Sequence, residues 1–456
     1  MDEGEFGAAA QQLQQGQGSG DSSDIEQFDL FRMPLAPAPD RGKAPAGAVA
    51  STSQSVSSGA TRLSSSKPPT GAATRAHSAA PASNEAGSAS LWHDEPLPAP
   101  LQPAPADRVA GVAPSPEKPK RRARDVLAAT PSPDVFAVAD ALPPQVHLGT
   151  SSWSFPGWSG IVYGDDYSNS KLSRDGLSAY GAHPLLRTVS IDRSFYAPLT
   201  LADYLRYARQ VPEHFRFIVK APQLVTDATV RAERGEPVSL NPCFLNPQIA
   251  IDEFVRPCLD GLGAKVGALV FQFSPLPIEM LAEPAVFIDR LSAFLAALPP
   301  LPQMSDDSRS HEGGPCYAVE IRDACLLTPR FIRALRAVGV RYCVGIHARM
   351  PDPIRQAAAL ALLDGEPAGP LIVRWSLHGG FKYEQAKAKY DPFDRLVDED
   401  PATRAALAEL AARYAIAGQP VLIAVNNKAE GSAPLTCIKL GAAIAQACTQ
   451  MRESSA

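Results

Sequence analysis

The segment VHLGTSSWSFPGWSG, residues 146–160, begins as a short alternating strand and continues into a loop that carries two tryptophans, a proline and two glycines. Alternation of apolar and small or polar residues with period two is typical of a β-strand. Seven later segments read as strands in the same way, at 186–195, 215–222, 267–273, 317–323, 341–347, 371–379 and 420–427. Amphipathic helical stretches lie between them. Eight strand–helix units in succession predict a (β/α)8 TIM barrel.

The composition divides the chain into two unequal parts. Residues 1–144 consist mostly of Ala, Pro, Ser, Gly and Gln without sustained apolar periodicity, so a disordered N-terminal tail is expected there. Residues 145–448 are long enough for one large core and form the predicted barrel. Residues 449–456 are expected to be a flexible C-terminus.

Charge and cysteine content narrow the class of protein. The formal net charge of −5 argues against nucleic-acid binding through bulk charge alone. All seven cysteines follow residue 240 and no C-x-x-C occurs, a pattern typical of reduced, mostly buried thiols. No segment has the length of a signal peptide core or a membrane span, so we expect a cytoplasmic protein with no membrane partner.

The two faces of each strand separate residues that pack under helices from residues that point to the barrel axis. The inward set comprises His147, Ser151, Trp153, Ser190, Asp192, Ser194, Lys220, Gln272, Glu320, Arg322, His347, Arg374, Ser376, His378, Leu422, Ala424 and Asn426. Its polar members concentrate at the strand C-termini, where catalytic groups of such barrels lie. Trp153 is predicted to be an aromatic wall of that pocket, with the loop 156–158 folding over its rim.

The charged inward residues predict chemistry on an anion. Glu320 is a candidate general acid or base beside the anion-binding Arg322, with Lys220 and Arg374 adding positive charge. Lys220 could instead be a Schiff-base amine, although a lysine among arginines is more often a phosphate or carboxylate partner. The alternative for the whole set is a closed ion-pair network that fills the barrel mouth.

A metal site is a weaker hypothesis. His347 and His378 could bind zinc, manganese or iron together with Glu320, but no H-x-H or H-E-x-x-H spacing supports this, and hydrogen-bonded histidines are favoured. We therefore predict no cofactor, with a divalent metal as the alternative. Asn426 and Asn427 follow the last strand, where many barrels hold a phosphate.

Several motifs fall on the strand ends, at 149–158 (GTSSWSFPGW), 190–196 (SIDRSFY), 217–221 (FIVKA), 271–275 (FQFSP), 318–323 (AVEIRD), 373–379 and 425–427. Together they resemble the DUF72 (YecE-like) family of TIM-barrel proteins, and the resemblance spans nearly all of 146–446. It implies a barrel and a pocket but no reaction. The sequence departs from the family pattern at Ser190, Asp192, Arg193 and Asp323, and has Thr226-Asp227 where the family usually has Thr-His, so the substrate or the activity can differ.

These arguments predict an enzyme that acts on an anionic substrate, either a phosphorylated sugar or a nucleic-acid-derived molecule. The predicted catalytic residues are Glu320, Lys220, Arg322, His378 and Asp192. The predicted substrate-binding residues are Trp153, Tyr196, Gln272, Arg374, Asn426 and Asn427.

The tail suggests an alternative function. Its segment QFDLF, residues 27–31, resembles the bacterial motif that binds the DNA sliding clamp, with Gln27, Phe28, Leu30 and Phe31 as the contact residues. The basic run KPKRRAR, residues 118–124, is either a polyanion contact or a solvated linker. The alternative is a non-catalytic binding or scaffold module recruited to the clamp or to a nucleic-acid assembly through its tail.

Overall fold

The structure is a computed structural model that describes residues 125–231, 237–302, 314–364, 369–379 and 381–455. The strands in these ranges are β1 (Val146–Thr150), β2 (Leu186–Ile191), β3 (Arg216–Lys220), β4 (Thr229–Arg231), β5 (Pro237–Leu240), β6 (Val266–Gln272), β7 (Cys316–Glu320), β8 (Arg341–Ile346), β9 (Leu371–Trp375) and β10 (Val421–Val425). The α-helices are α1 (Pro133–Ala141), α2 (Asn169–Asp175), α3 (Leu177–Gly181), α4 (Leu201–Ala208), α5 (Gln223–Thr226), α6 (Pro247–Ala250), α7 (Arg256–Leu262), α8 (Ile278–Ala282), α9 (Pro284–Ala296), α10 (Pro329–Ala337), α11 (Pro353–Asp364), α12 (Tyr383–Tyr390), α13 (Pro401–Ile416) and α14 (Ala433–Ser455). The predicted tail motifs at 27–31 and 118–124 lie outside the described residues.

Eight parallel strands close into a barrel in the order β1-β10-β9-β8-β7-β6-β3-β2. The first and last strands pair with each other, with Val146 opposite Val421 and Thr150 opposite Val425. Helices lie between successive barrel strands along the chain. The (β/α)8 barrel predicted from the alternating pattern is therefore confirmed.

The barrel strands end earlier than the sequence pattern indicates. The second barrel strand, β2, ends at Ile191 rather than 195, and β9 ends at Trp375 rather than 379. The loop after β3 also contains an antiparallel hairpin, β4 with β5, that the sequence analysis did not predict.

Two apolar layers enclose the strands. The layer inside the barrel consists of Ile218, Ala268, Val270, Cys316, Ala318, Cys343, Ile372, Leu422 and Ala424. Leu422 and Ala424 were predicted to face the axis, and this is confirmed. A side chain at Gly267 would lie 2.4 Å from Leu422 Cδ2, so the glycine leaves the space that this leucine fills. The larger layer lies outside, between strands and helices.

Both ends of the domain extend beyond the predicted limits. Helix α1 lies within the segment 1–144 that was assigned to the tail, and its residues Val135 and Ala139 are buried. At the other end α14 continues to Ser455, past residue 448. A side chain at Gly441 would lie 3.0 Å from Val138 Cγ1, so this glycine allows α1 to approach α14 closely.

The structure shows whether the cysteines are free and whether a described helix could cross a membrane. All seven cysteines are free thiols, and five of them are buried, as predicted. In the described ranges, every helix is too short or too polar to cross a lipid bilayer.

Candidate active site

Five charged residues meet at the C-terminal end of the barrel, and we call them the strand-end cluster: Asp192, Lys220, Glu320, Arg322 and Arg374. Lys220 and Glu320 are the last residues of β3 and β7, and Arg374 is the penultimate residue of β9. Asp192 and Arg322 follow β2 and β7 within two residues. All five were predicted as site residues, and the structure brings them together.

Glu320 is the centre of the cluster and has no solvent-exposed surface. Its Oε2 accepts a hydrogen bond of 2.6 Å from Arg374 Nη1, and its Oε1 lies 2.7 Å from Arg322 Nη2. Burial alone would raise the pKa of Glu320, but the charges of Arg322 and Arg374 outweigh burial and hold the pKa below its usual value. Glu320 is therefore a buried carboxylate shared by two guanidinium groups.

Arg374 links the buried centre to the edge of the cluster. Its Nη2 donates to both carboxylate oxygens of Asp192, at 2.7 and 2.8 Å. Ser190 Oγ donates to Asp192 Oδ1 at 2.6 Å, which orients the carboxylate further. The side chain of Asp192 remains 26% exposed, whereas those of Arg374 and Glu320 are buried. Asp192 therefore lies at the solvent-exposed edge of the cluster.

Two neutral side chains also accept hydrogen bonds from the arginines. Gln272 Oε1 accepts from Arg374 Nη1 at 2.8 Å and from Arg322 Nη2 at 3.2 Å. Ser376 Oγ accepts from Arg322 Nη2 at 3.3 Å. Because Gln272 Oε1 faces the arginines, its amide orientation is determined, and its buried Nε2 has no hydrogen-bond partner within the described residues.

Lys220 is a buried lysine whose amine contacts an aromatic ring. Its Nζ lies 3.4 Å from the centroid of the Phe195 ring, and its backbone carbonyl accepts a hydrogen bond of 2.6 Å from Ser194 Oγ. Burial lowers the pKa of Lys220 to about 7, partly opposed by the charge of Asp192. A substantial fraction of Lys220 is therefore a neutral amine near neutral pH.

His347 lies just beyond β8 and is a neutral group beside the charged cluster. Burial, together with the charge of Arg322, lowers the pKa of His347 to about 3. Its Nδ1 accepts a hydrogen bond of 3.2 Å from the backbone N–H of Arg349. The imidazole proton therefore resides on Nε2, and His347 can offer a neutral hydrogen-bond donor.

Gly345 was missed by the sequence analysis although it shapes the site. A side chain at this position of β8 would lie 3.1 Å from Glu320 Oε1 and 3.4 Å from Arg322 Nη1. The glycine therefore provides the space in which this ion pair sits. A lone glycine within an apolar strand is the signal that could have indicated the close approach.

Trp153 and His378 were assigned to the site because both were predicted to lie on strands. In the structure both residues lie after the end of their strand. Trp153 is buried, packs edge-on against Tyr207 at 5.2 Å and donates from Nε1 to the Leu172 carbonyl. These contacts belong to the outer core between α2 and α4 rather than to an open pocket wall. His378 packs edge-on against Phe381 at 5.3 Å, and β9 ends three residues before it. The strand alternation that assigned both residues to the barrel axis does not extend to them.

The remaining predicted binding residues are Tyr196, Asn426 and Asn427, and their contacts lie within the strand-end loops and at the start of α14. Tyr196 is half-buried and packs edge-on, at 5.4 Å, against Phe195, the ring that Lys220 contacts. Asn426 Oδ1 accepts from the backbone N–H of Lys428 at 3.0 Å. Asn427 is buried, and its Oδ1 accepts from Trp158 Nε1 at 3.3 Å and from the backbone N–H of Ala433 at 2.8 Å. The oxygen of Asn427 thus joins the first loop to the start of α14.

Asp323, one of the departures from the family motifs, has a structural role. Its Oδ2 accepts from the backbone N–H of Leu276 at 2.8 Å, and its Oδ1 accepts from Arg349 Nη2 at 3.1 Å. The residue therefore ties together the loops after β6, β7 and β8. These loops form one rim of the cluster.

Metal ligation by the candidate histidines has no support from the geometry. Among the described residues, no group of three or more His, Cys, Asp or Glu side chains is arranged to hold a metal ion. Glu320, the third proposed ligand, is already paired with two arginines.

Two large surface grooves lie elsewhere. One of about 1120 Å³ runs between α13 and α14 and is lined mainly by alanines and other helix residues. Another of about 840 Å³ lies between α2 and α4. Neither is lined by a residue of the strand-end cluster.

The family described as "Protein of unknown function DUF72" matches residues 147–456. The chain belongs to the DUF72 family. Among solved structures, this DUF72 protein is similar to a DUF72 family protein from Thermotoga maritima, with 19% identity, a TM-score of 0.43, and coverage of 68% of this chain and 99% of that chain. A DUF72 family protein from Enterococcus faecalis is 13% identical, with a TM-score of 0.39 and coverage of 67% and 95%.

A third similar structure is the monooxygenase from Streptomyces bottropensis, with 11% identity, a TM-score of 0.35, and coverage of 67% of this DUF72 chain and 99% of that chain. No curated protein matches the chain.

Proposed function

We propose that this DUF72 protein is an enzyme that acts on a small anionic substrate, a phosphorylated sugar or a nucleic-acid-derived molecule, at the strand-end cluster. The observation that supports the proposal is the fully buried Glu320 held between Arg322 and Arg374, with Lys220 beside them. Barrels of this type carry catalytic groups at this end of the strands.

The charge of the cluster favours an anion. Asp192 and Glu320 supply two negative charges and Arg322 and Arg374 supply two positive charges, so these four residues sum to zero. The proton on Lys220 makes the cluster positive. A substrate phosphate or carboxylate would therefore offset the charge of Lys220, and the guanidinium groups provide planar donors for its oxygens.

Energetics argue against a purely structural network. Removing several charges from water costs several kcal/mol per ion, and well-packed apolar residues of similar volume often stabilise a core as well or better. The same barrel fills its lower interior with apolar side chains such as Ile218 and Val270. The buried charges at the strand C-termini differ from this apolar layer, and buried groups with perturbed pKa values concentrate at functional sites.

The residues have distinct roles in the proposed chemistry. Glu320 holds the two guanidinium groups in a fixed orientation for the substrate anion. Asp192, at the solvent-exposed edge, is the candidate general acid or base. Lys220 has a pKa of about 7 and can take up or release a proton at neutral pH.

A thermal-unfolding screen of the full chain tests the proposal. Ribose 5-phosphate, nucleoside monophosphates, short oligonucleotides and divalent metal salts are added separately, since a ligand of the native state raises Tm by mass action. We expect a phosphorylated compound to raise Tm, and Lys220→Ala to remove the shift. Lys265→Ala is the matched control, because Lys265 is also buried but precedes β6 at the opposite end of the barrel. No shift with any anion, or an equal loss in both variants, would contradict the proposal.

We also propose, as a second function carried by the motif QFDLF alone, that residues 27–31 bind the DNA sliding clamp. Full-length protein is titrated against purified bacterial clamp, and the double variant Leu30→Ala/Phe31→Ala is expected to abolish binding. Phe6→Ala, which changes an aromatic residue elsewhere in the same tail, serves as control. Equal binding by both variants would refute the assignment. The proposed chemistry at the barrel does not depend on this result.

A further inference from the structure

We infer that Lys220 is a nucleophile that forms an imine with the substrate, so that the substrate is an anionic aldehyde or ketone. The inference rests on the proposed function and adds the class of reacting group to it. The cluster provides two separate elements for such a molecule: guanidinium groups for its anionic end and an amine for its carbonyl carbon.

The amine of Lys220 is held in place from both ends of the residue. Phe195 lies under Nζ, with 3.4 Å between Nζ and the ring centroid. Ser194, the preceding residue, donates from Oγ to the backbone carbonyl of Lys220 at 2.6 Å. A single turn after β2 thus positions both the backbone and the amine. A nucleophile held in one geometry loses less entropy when it attacks.

The protonation state of Lys220 suits this role. Only a neutral amine attacks a carbonyl, and an exposed lysine is almost wholly protonated at pH 7. Burial lowers the pKa of Lys220 to about 7. The neutral form is therefore well populated without a separate base.

A second buried lysine shows what a structural role looks like in the same fold. Lys265 Nζ donates to the backbone carbonyls of Ala208 at 2.9 Å and Val211 at 2.8 Å, and lies 3.1 Å from Glu213 Oε1. The amine of Lys265 therefore caps the C-terminal end of α4 by donating to backbone carbonyls there. Lys220 is also buried but lies against the ring of Phe195 within a cluster of charges, so the two lysines form a matched pair for an experiment.

The covalent step balances without an oxidant or reductant. The neutral amine of Lys220 forms a C–N bond with the carbonyl carbon, and the π electron pair moves to oxygen, which takes up a proton. The attacking nitrogen loses one proton, which gives the neutral carbinolamine. The carbinolamine oxygen then takes up a second proton and leaves as water while the nitrogen lone pair forms the C=N bond. Loss of the remaining N–H proton gives the neutral imine, so one amine and one carbonyl group yield one imine and one water. Asp192, the charge that raises the Lys220 pKa most, is the candidate for these proton transfers.

Reductive trapping tests the inference. The full chain is incubated at pH 7 with glycolaldehyde phosphate and sodium cyanoborohydride, and modified lysines are located by peptide mass mapping. We expect Lys220 to be modified well before Lys265 and before the exposed Lys382. An excess of 2-hydroxyethyl phosphate, which has the phosphate but no carbonyl group, is expected to slow modification of Lys220 and to leave that of Lys382 unchanged. Thermal unfolding with 2-hydroxyethyl phosphate alone reports anion binding separately.

The Tm shift and the rate of lysine modification together separate the imine proposal from the anion-site proposal. If 2-hydroxyethyl phosphate raises Tm but Lys220 is modified no faster than Lys382, the imine is refuted and the proposed anion site stands. If Lys220 is modified rapidly but the competitor does not slow it, the anionic class of the carbonyl substrate is refuted. If there is neither a Tm shift nor selective modification, both proposals fail. The variant Lys220→Arg, which keeps a positive charge but cannot form the imine, confirms the site of modification.

Discussion

Glu320 and Arg374 form a buried ion pair in which Glu320 Oε2 accepts a hydrogen bond of 2.6 Å from Arg374 Nη1. The two residues are 54 positions apart in the chain and lie on β7 and β9. Between these strands runs β8, where Gly345 leaves the space that the side chains of Glu320 and Arg322 occupy. The pair therefore depends on three neighbouring strands of the barrel.

Neutralising Glu320 should destabilise the fold strongly. The substitution Glu320→Gln leaves Arg322 and Arg374 buried with less compensating charge, and breaking a buried ion pair costs about 3–5 kcal/mol. The free energy of unfolding in urea measures the loss. Glu409→Gln is the control, since Glu409 forms an exposed pair with Arg413 on α13 that is worth about 0.5 kcal/mol or less. Similar losses in the two variants would contradict the prediction.

Stability should fall in acid in a way that depends on Glu320. Because the folded state holds the pKa of Glu320 below its usual value, its contribution is complete above the unfolded pKa of about 4.3 and is lost as pH falls through the lower, folded pKa. The difference in unfolding free energy between the native protein and Glu320→Gln should therefore shrink below about pH 4. A difference that stays constant down to pH 2 would show that the carboxylate is not stabilised by folding.

Lys220 should make the stability of the folded protein rise with pH in neutral to alkaline solution. Its folded pKa of about 7 is below the unfolded value of about 10.4, so the unfolded chain binds more protons between these pH values. Stability of the native protein relative to Lys220→Met should therefore rise with pH from about 7 to about 10. Unfolding free energies measured across that range check the slope. A flat or falling difference would mean that Lys220 stays protonated.

A methyl group at Gly345 should disturb the cluster. It would lie 3.1 Å from Glu320 Oε1, and inserting a group into such a packed site costs about 1–3 kcal/mol. Gly379→Ala is the matched control, because a side chain there would have no neighbour within 4 Å. Unfolding measurements should separate the two variants. Equal stability would show that the Glu320–Arg322 pair can shift without cost.

Asn427 should contribute to stability rather than bind substrate. The substitution Asn427→Ala leaves Trp158 Nε1 and the backbone N–H of Ala433 without their acceptor, at about 1–3 kcal/mol for each buried donor. We expect lower unfolding free energy and unchanged affinity for a ligand found in the thermal screen. Weaker ligand binding with unchanged stability would restore the substrate-binding role predicted from the sequence.

The sequence by itself determined the barrel and most of the charged residues at its mouth. Strand alternation depends only on the near neighbours of each residue, so it identified Glu320, Arg322 and Arg374 as inward-facing before any strand pairing was known. Lys220 and Gln272 were identified in the same way, and family motifs pointed to the same strand ends.

Only the tertiary structure decided where the strands end and which charges meet. The alternation of residues continues past Thr150 and Trp375, whereas the paired register of the strands ends at these residues, so alternation alone could not place Trp153 and His378. Pairing Arg374 with Asp192 joins residues 182 positions apart. Such contacts arise from closure of the barrel, which brings distant strand ends together, and no local pattern records which of them will touch.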